Sequence, residues 1–334
     1  MEINSFAASE KGKPLAAHKY QTQPLAPHEC IIKVNACGVC HSDIHMIDND
    51  WTISRYPLVP GHEVIGEVVE CGSEVKHIRS GARVGVGWQR SSCLQCSDCL
   101  SGNENLCNKN QGVITHGFGG FADHLLMDSR FVFAIPDGAE TETSAPLLCG
   151  GITVYSALIH AGMKHGQRIG VIGVGGLGHM AIQFASKLGN SVTAFTTSDD
   201  KAQFAASLGA TEAIVTDGKR PKKRTRQAFD IIISTVAHTQ EWSDYVNLLG
   251  SDGTLTFVGV PNENLSIPLG LLLGKRRRIM ASPIGGRAMI TKMLQLTADH
   301  GIKAIIEKFP MTRANEAIER VRSNKVRYRA VLTN

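Results

Sequence analysis

The chain has 334 residues, of which 43% are hydrophobic and 19% are charged, and its formal net charge is +5. This length exceeds what a single core usually holds, so the sequence predicts two domains. Met1 is followed by Glu2 and Asn4, and the sequence has no run of eighteen apolar residues. We therefore expect a cytoplasmic protein with no membrane span and no secretory leader.

The first half predicts short strands, such as residues 30–34 and 64–69, separated by frequent Gly and Pro. Such a pattern is typical of a compact β-barrel-like domain. The tail over 289–334, with a helix and a strand near 328–332, is too short to fold alone. We therefore assign it to the same domain, which then comprises residues 1–147 and 286–334.

Four cysteines within fifteen residues follow the pattern Cys-x2-Cys-x2-Cys-x7-Cys. They are Cys93, Cys96, Cys99 and Cys107. This spacing lets one loop surround a tetrahedral ion, and a shell of four sulfurs is typical of structural zinc. An iron–sulfur cluster is the alternative, but its cysteine runs end in Cys-x3-Cys-Pro, whereas here the gap is longer and Asn108 follows.

The other cysteines do not form a disulfide pattern. The total of nine is odd, and most spacings indicate metal binding, which fits a reducing compartment. Cys30, Cys37 and Cys71 have no predicted metal role. We interpret them as small buried hydrophobic residues.

The second half alternates apolar runs with amphipathic stretches. The predicted strands are 168–172, 191–195, 213–215, 230–233, 254–260 and 279–282. The predicted helices are 176–188, 201–208 and 241–249. Strands that alternate with helices in this way predict a doubly wound parallel sheet, here over residues 148–285.

A glycine-rich turn joins the first predicted strand to the first predicted helix. It consists of Gly173, Gly175, Gly176, Leu177 and Gly178. In this context the glycines permit a tight turn, close approach of a pyrophosphate, and close packing of helix on strand. The turn therefore predicts a dinucleotide site.

The end of the second strand should select the dinucleotide, since an NAD site has an acidic residue about twenty residues after the glycines. Here the sequence has Thr196, Thr197, Ser198 and Lys201. Hydroxyls near a cation suit a 2′-phosphate, so we expect NADP(H). Asp199 and Asp200 argue in the opposite direction unless they point away, which leaves NAD open.

Two basic runs, 219–226 and 275–278, are candidates for binding nucleic acid. Neither run is interleaved with aromatic residues, as a single-strand binder would require. We interpret both as solvated surface and expect no nucleic-acid partner.

Three dispersed segments complete the pattern, around Cys40, His62 and Cys149. Two thiols and one imidazole are a known ligand set for catalytic zinc. With the four-cysteine loop and the glycine turn, they occur in the order seen in zinc-dependent medium-chain alcohol dehydrogenases. Residues 40–45, 56–63 and 327–329 most resemble the cinnamyl alcohol dehydrogenase subfamily, especially its bacterial broad-range NADPH-dependent aldehyde reductases.

The resemblance implies a GroES-like β-barrel-type catalytic domain and a Rossmann cofactor domain. It implies two zinc ions per chain, NADP(H), and reversible hydride transfer between NADPH and an aldehyde to give a primary alcohol. The aldehyde would be aromatic, of the cinnamyl type, or medium-chain aliphatic. It also implies a homodimer formed through the cofactor domains.

By the same resemblance, Cys40, His62 and Cys149 would bind the catalytic zinc, and Glu63 would be an alternative ligand. Asp43 would fix the tautomer of His62.

Ser42 and His45 would relay a proton to or from the substrate oxygen. Thr153 would lie near the nicotinamide, and Arg329 would meet Glu63 or the pyrophosphate. The substrate pocket would include Trp51, Trp88 and Ile284.

Two other functions stay open from the sequence. A quinone or enoyl reductase on the same two-domain frame would need no catalytic zinc. A zinc-stabilised nucleotide-sensing or nucleic-acid-binding protein would use the basic run at 219–226 and would have no use for a proton relay.

Overall fold

The computed structural model describes residues 1–216, 218, 228–260 and 263–334. The chain divides into two compact units, one of Met1–Cys149 with Gly285–Asn334 and one of Gly150–Ile284. The expected borders at 147/148 and 285/286 differ from these by two residues and one residue, respectively. Leu148 and Cys149 consequently lie in the first unit.

The first unit begins with a series of short strands and three short helices. The strands are β1 (Glu2–Ala7), β2 (Ala16–Gln21), β3 (Glu29–Val39), β4 (Val64–Cys71), β5 (Arg83–Val86), β6 (Gln89–Ser91), β7 (Gln111–Gly112), β8 (His124–Asp128) and β9 (Val132–Ala134). The helices are α1 (His41–Ile47), α2 (Ser97–Leu100) and α3 (Thr141–Ser144).

The second unit alternates helices and strands, and the chain then returns to the first unit. The second unit contains α4 (Gly150–His160), β10 (Arg168–Ile172), α5 (Gly178–Lys187), β11 (Ser191–Thr196), α6 (Asp199–Ser207), β12 (Glu212–Val215), β13 (Phe229–Ser234), α7 (Trp242–Leu248), β14 (Leu249–Phe257), α8 (Leu269–Leu273) and β15 (Arg278–Ala281). The returning segment contains α9 (Arg287–His300), β16 (Ile306–Pro310), α10 (Ala314–Arg322) and β17 (Arg329–Thr333).

A seven-stranded sheet organises the first unit, in the order β16-β17-β3-β4-β5-β9, with β8 also paired to β3. The C-terminal strand β17 runs antiparallel to β3, with Ala330 opposite Val39. Residues Ile32, Val34 and Ala36 of β3 are buried in the core, so alternate positions face inward. Strand β3 therefore runs through the core and ends directly before Cys40.

The second unit contains a parallel sheet in the order β12-β11-β10-β13-β14-β15 among its described strands. This is the strand order of a doubly wound dinucleotide-binding domain. Its central strand β10 is completely buried at Ile169 and Val171. The prediction of an α/β fold with a barrel-like domain and a doubly wound domain is therefore confirmed.

Several predicted elements have different ends. The helix expected from residue 201 begins at Asp199, because Ser198 caps it. The strand expected over 254–260 runs from Leu249 to Phe257. Helix α4 was not predicted, since it begins with two glycines and is apolar on nearly all sides, which hides helical periodicity.

The two basic runs have different outcomes. The run at 219–226 lies outside the described residues. In the run at 275–278, Arg277 donates to the carbonyl of Leu249 at 2.7 Å, and Arg276 pairs with Asp252 at 2.8 Å. These arginines contact the first residues of β14, which agrees with the interpretation of this run as part of a folded surface.

Within the described part of the chain, no helix combines the length and the apolar character that crossing a bilayer requires.

Candidate active site and metal centres

The first candidate centre begins where β3 ends. Cys40 has an extended backbone and precedes helix α1, and its N–H donates to Oδ2 of Asp43 at 2.9 Å. This is the hydrogen bond of a capping box, in which a side chain in the first turn satisfies a backbone donor before the helix. The local sequence therefore places Cys40 and Asp43 beside each other at the start of α1.

Asp43 connects this helix to the segment before β4. Its Oδ1 accepts from the N–H of Gly61 at 2.8 Å and lies 3.0 Å from Nδ1 of His62. Asp43 and His62 are both completely buried. A buried carboxylate at this distance keeps the proton on Nδ1, so that Nε2 is free to bind a metal.

The donor atoms of four residues converge at this point. Cys40, His62, Glu63 and Cys149 each offer one ligand atom, and these atoms lie within 4.8 Å of one another. Nε2 of His62 and Oε2 of Glu63 are buried without a hydrogen-bond partner. Two sulfurs, one imidazole nitrogen and a nearby carboxylate are donors that suit zinc, and the orphaned atoms are satisfied if a cation lies between them.

Arg329 reaches the same cluster from β17. Its Nη2 pairs with Oε1 of Glu63 and also donates to the carbonyl of Val39 at 3.3 Å. Burial raises the pKa of Glu63 to about 7, although the charge of Arg329 opposes this. The resemblance implied either Glu63 or the pyrophosphate as the partner of Arg329. In the structure Arg329 pairs with Glu63.

The two thiols of the cluster influence each other. A hydrogen bond from Cys149 holds the pKa of Cys40 well below its usual value. The same contact, together with burial, raises the pKa of Cys149. The charge and the hydrogen bond of Asp43 outweigh the effect of burial and raise the pKa of His62. The lowered pKa of Cys40 favours the thiolate form that a metal ligand requires.

The second candidate centre is the four-cysteine loop. Sγ of Cys93 lies 3.5 Å from that of Cys107 and 3.9 Å from that of Cys99. Thiolates about 2.3 Å from a tetrahedral zinc are separated by roughly 3.8 Å, so these distances fit. All four sulfurs, including that of Cys96, lie within 4.8 Å of one another. A cluster of several iron and sulfide atoms requires a wider separation, so the arrangement favours a single ion.

The backbone of this loop turns tightly around its first cysteine. Leu94 has a positive φ of 56°, which directs the next amides back toward Cys93. Hydrogen bonds from the N–H groups of Gln95 and Cys96 lower the pKa of Cys93 to about 6. These amides therefore favour the thiolate form of Cys93, which is the form that a metal requires.

Helix α1 also carries Ser42 and His45. Sγ of Cys40 lies 3.8 Å from Oγ of Ser42, so this hydroxyl is next to the metal cluster. Nδ1 of His45 lies 2.7 Å from Oδ2 of Asp50. Asp50 could not be identified from the sequence, because it lies in a loop after the helix and no spacing rule connects it with His45.

Aromatic rings adjoin the cluster. The edge of Trp88 faces His62, with ring centroids 5.1 Å apart, and Trp51 lies 5.9 Å from Trp88. Trp51 is 42% exposed, so it is not a core residue. Thr153 and Ile284 are partly buried members of the second unit.

The glycine turn has the geometry that its sequence predicts. Gly173 has a φ of +90°, and a Cβ on Gly178 would lie 1.8 Å from the carbonyl oxygen of Gly173. A Cβ on Gly175 would meet no atom within 4 Å. Gly176 and Leu177 complete the turn between β10 and α5. Backbone is thus exposed where a pyrophosphate would approach.

Thr235, which follows β13, is a further residue of this site that was not predicted from the sequence. Its hydroxyl donates to the carbonyls of Ile172 at 2.9 Å and Gly173 at 3.2 Å. A neighbouring strand therefore holds the glycine turn in place. Periodicity and motifs gave no signal for this contact, because it depends on strand order.

The four residues expected at a 2′-phosphate have different environments. Thr196 is buried, whereas Thr197 and Lys201 are exposed. Oγ of Ser198 accepts from the N–H of Lys201 at 3.4 Å and so caps α6. Asp199 and Asp200 are exposed in the first turn, where negative charge stabilises a helix.

Residues 26–137 match the family model of the alcohol dehydrogenase GroES-like domain, and residues 176–299 match that of the zinc-binding dehydrogenase. The chain is 41% identical to the aldehyde reductase AdhA of Synechocystis sp., over 99% of each protein. The chain belongs to the zinc-binding alcohol dehydrogenase family. The family prediction is thereby confirmed.

Two solved structures resemble this alcohol dehydrogenase closely. A cinnamyl alcohol dehydrogenase of Sorghum bicolor has a TM-score of 0.90 at 34% identity, covering 100% of this chain and 98% of its own. That of Helicobacter pylori, solved with NADP(H), has a TM-score of 0.90 at 30% identity with the same coverage. The chain is therefore an alcohol dehydrogenase or aldehyde reductase of the zinc type, and the two alternative functions lose support.

The geometry of the glycine turn predicts different effects for two alanine substitutions in this dehydrogenase. Gly178→Ala should lower the melting temperature, because the added carbon overlaps a backbone oxygen and overpacking typically costs about 1–3 kcal/mol. Gly175→Ala should leave stability unchanged but weaken dinucleotide binding about tenfold or more, because its carbon occupies the approach of the pyrophosphate. Thermal unfolding and nucleotide fluorescence titrations measure both effects. Unchanged affinity in Gly175→Ala would contradict this role.

The two metal centres should respond differently to loss of one thiol. Cys149→Ser should lose one zinc per chain and aldehyde reduction, while its melting temperature stays close to that of the wild type. Cys99→Ser should lose the other zinc and melt at a clearly lower temperature, because structural zinc contributes to folding. Metal analysis with calorimetry distinguishes the two. The assignment is wrong if Cys99→Ser keeps both zinc ions and full stability.

Proposed function

We propose that this chain is an NADP(H)-dependent zinc alcohol dehydrogenase that interconverts an aldehyde and a primary alcohol. The observation that carries the proposal is the buried cluster of Cys40, His62 and Cys149, with His62 oriented by Asp43. The aldehyde reductase AdhA supports the reaction class by its name. NADP(H) in the Helicobacter pylori structure supports the cofactor.

The proposed mechanism assigns distinct tasks to residues of the first unit. Cys40, His62 and Cys149 would hold the zinc, which would supply Lewis-acid polarisation of the carbonyl oxygen, and the reduced nicotinamide would supply hydride. Reduction of an aldehyde also requires one proton at oxygen. Ser42 is suited to deliver it, because its hydroxyl lies next to Cys40. Glu63 and Arg329 form a buried ion pair in the same cluster and are suited to adjust the net charge of the metal site.

His45 is suited to exchange the proton with solvent. The contact between its Nδ1 and Asp50 orients the imidazole and leaves Nε2 as the exchanging atom. His45 is partly exposed, whereas Ser42 lies beside the buried cluster three residues earlier on the same helix. Side chains three apart on a helix share a face, so the two can act in sequence.

The preference for NADP(H) rests on the end of β11. Thr196 and Thr197 stand where an NAD enzyme has a carboxylate that binds the ribose hydroxyls. Lys201 is exposed on the first turn of α6 and offers a cation to a 2′-phosphate. Thr153 is proposed to contact the nicotinamide.

Aromatic or cinnamyl-type aldehydes are the proposed substrates, with medium-chain aliphatic aldehydes as the alternative. Trp51 and Trp88 place aromatic surface next to the ligand His62, and such surface favours stacking with an aromatic ring. Ile284 is proposed as a third residue of the substrate pocket. A homodimer, which the family resemblance implies, is also part of the proposal and is testable by light scattering. A cytoplasmic location is proposed as well.

The proposed function is tested by initial rates with NADPH and NADH against benzaldehyde, cinnamaldehyde, butanal and octanal. We expect oxidation of NADPH that is lost on chelation and restored by zinc, with the highest kcat/KM for the aromatic aldehydes. Zinc content is measured in the same samples. An enzyme with full zinc that oxidises neither cofactor with any aldehyde would overturn the proposal.

Lys201→Ala should raise KM for NADPH about tenfold and leave KM for NADH unchanged, because only NADPH has the 2′-phosphate that this cation contacts. Lys187→Ala is the matched control, since Lys187 is also exposed but ends α5. Equal effects of Lys201→Ala on both cofactors would argue against phosphate recognition.

Asp50→Asn should lower kcat by about tenfold to a hundredfold, with zinc content and KM for NADPH unchanged, because the carboxylate orients a proton-transfer group. Asp48→Asn is the control, since Asp48 pairs with Arg322 instead. An unchanged kcat in Asp50→Asn would show that Asp50 does not act through His45.

A further inference from the structure

Two cysteines outside both metal centres lie opposite each other on neighbouring strands of the first unit. Cys30 in β3 is the register partner of Cys71, the last residue of β4. The N–H of Gly72 donates to the carbonyl of Glu29 at 2.8 Å, as expected beside a non-hydrogen-bonded pair of an antiparallel ladder. Opposite Cα atoms in such a pair are about 4.5 Å apart, within the range of about 4.4–6.8 Å that a disulfide spans.

The two thiols differ in their access to solvent. Cys30 is completely buried, whereas Cys71 is partly exposed, so the interpretation of Cys71 as a buried residue was wrong. Sγ of Cys71 lies 4.0 Å from the carbonyl oxygen of Ile78. Burial and the neighbouring Cys71 raise the pKa of Cys30 to about 12. A reagent from solvent therefore reaches Cys71 first, and Cys30 reacts only through it.

We propose that Cys30 and Cys71 are a modification site, at which a small disulfide such as oxidised glutathione converts the two thiols into a disulfide. The thiolate of Cys71 attacks one sulfur of the glutathione disulfide, and one glutathione thiolate leaves. The thiolate of Cys30 then attacks the sulfur of Cys71, and the second glutathione thiolate leaves. Two electrons pass from the cysteine pair to the reagent, and the two released thiolates take up the two protons.

The location of the pair indicates what the disulfide would change. Strands β3 and β4 carry the zinc ligands at their other ends, since Cys40 follows Val39 and Glu63 precedes Val64. Cys30 is about 30 Å along β3 from Cys40, at about 3.3 Å per residue. Oxidation should therefore stabilise the two strands by closing a long loop, without changing the reaction at the metal.

The experiment treats the zinc-loaded enzyme with oxidised glutathione at pH 8.5, where more of Cys71 is thiolate, and maps peptides without reduction. We expect a peptide linked through Cys30 and Cys71, with zinc content and kcat unchanged and slower inactivation by heat. Dithiothreitol should reverse all of these changes. A stable glutathione adduct on Cys71 without the link, or no reaction at either thiol, would overturn the proposal.

Two variants separate the steps. Cys30→Ser should accumulate a glutathione adduct on Cys71, because the second thiol is missing. Cys71→Ser should leave Cys30 unmodified, because that thiol is buried. Modification of Cys30 in Cys71→Ser, or loss of zinc before the link forms in the wild type, would also contradict the proposal. The mapping of the wild-type enzyme decides the outcome even if one variant does not fold.

Discussion

The active site of this alcohol dehydrogenase depends on one buried carboxylate. Asp43 accepts hydrogen bonds from the N–H of Cys40 at 2.9 Å and of Gly61 at 2.8 Å, and it lies 3.0 Å from Nδ1 of His62. A buried charge is tolerated only where its lone pairs are satisfied, and these three contacts satisfy them. They join the start of α1 to the segment before β4. The positions of two proposed metal ligands, Cys40 and His62, and the tautomer of His62 therefore follow from a single side chain.

The side chain of Glu63, the second carboxylate of the site, occupies space that a glycine leaves free. A Cβ on Gly38 would lie 1.9 Å from Oε2 of Glu63, so glycine is required there. Gly61 has a φ of +102°, and a Cβ at this position would lie 2.6 Å from the ring of Phe121. These glycines let β3 and the segment before β4 approach closely enough for Cys40 and Glu63 to reach one cluster.

Short-range features of the sequence predicted much of the fold and part of the site. The four-cysteine loop was predicted from spacing alone, because its ligands lie within fifteen residues. The alternation of strands and helices predicted the doubly wound sheet, because each element can be recognised from a short stretch of sequence. Cys149 is far from Cys40 in sequence, so only a family resemblance joined them. Asp50 and Thr235 act through contacts that loop geometry and strand order create, and no motif in the sequence indicates such contacts.

Electrostatics explains why a divalent cation suits the cluster. Asp43, Glu63 and the thiols of Cys40 and Cys149 bring acidic groups into one buried volume beside the guanidinium of Arg329. The hydrogen bond with Cys40 raises the pKa of Cys149, so this thiol keeps its proton when no cation is bound. A zinc ion would take the place of that proton and compensate the thiolates directly. Burying these acidic groups without a metal is energetically costly, and the same charge distribution therefore favours binding of a cation. The positive charge of that cation is also what the carbonyl oxygen needs during reduction.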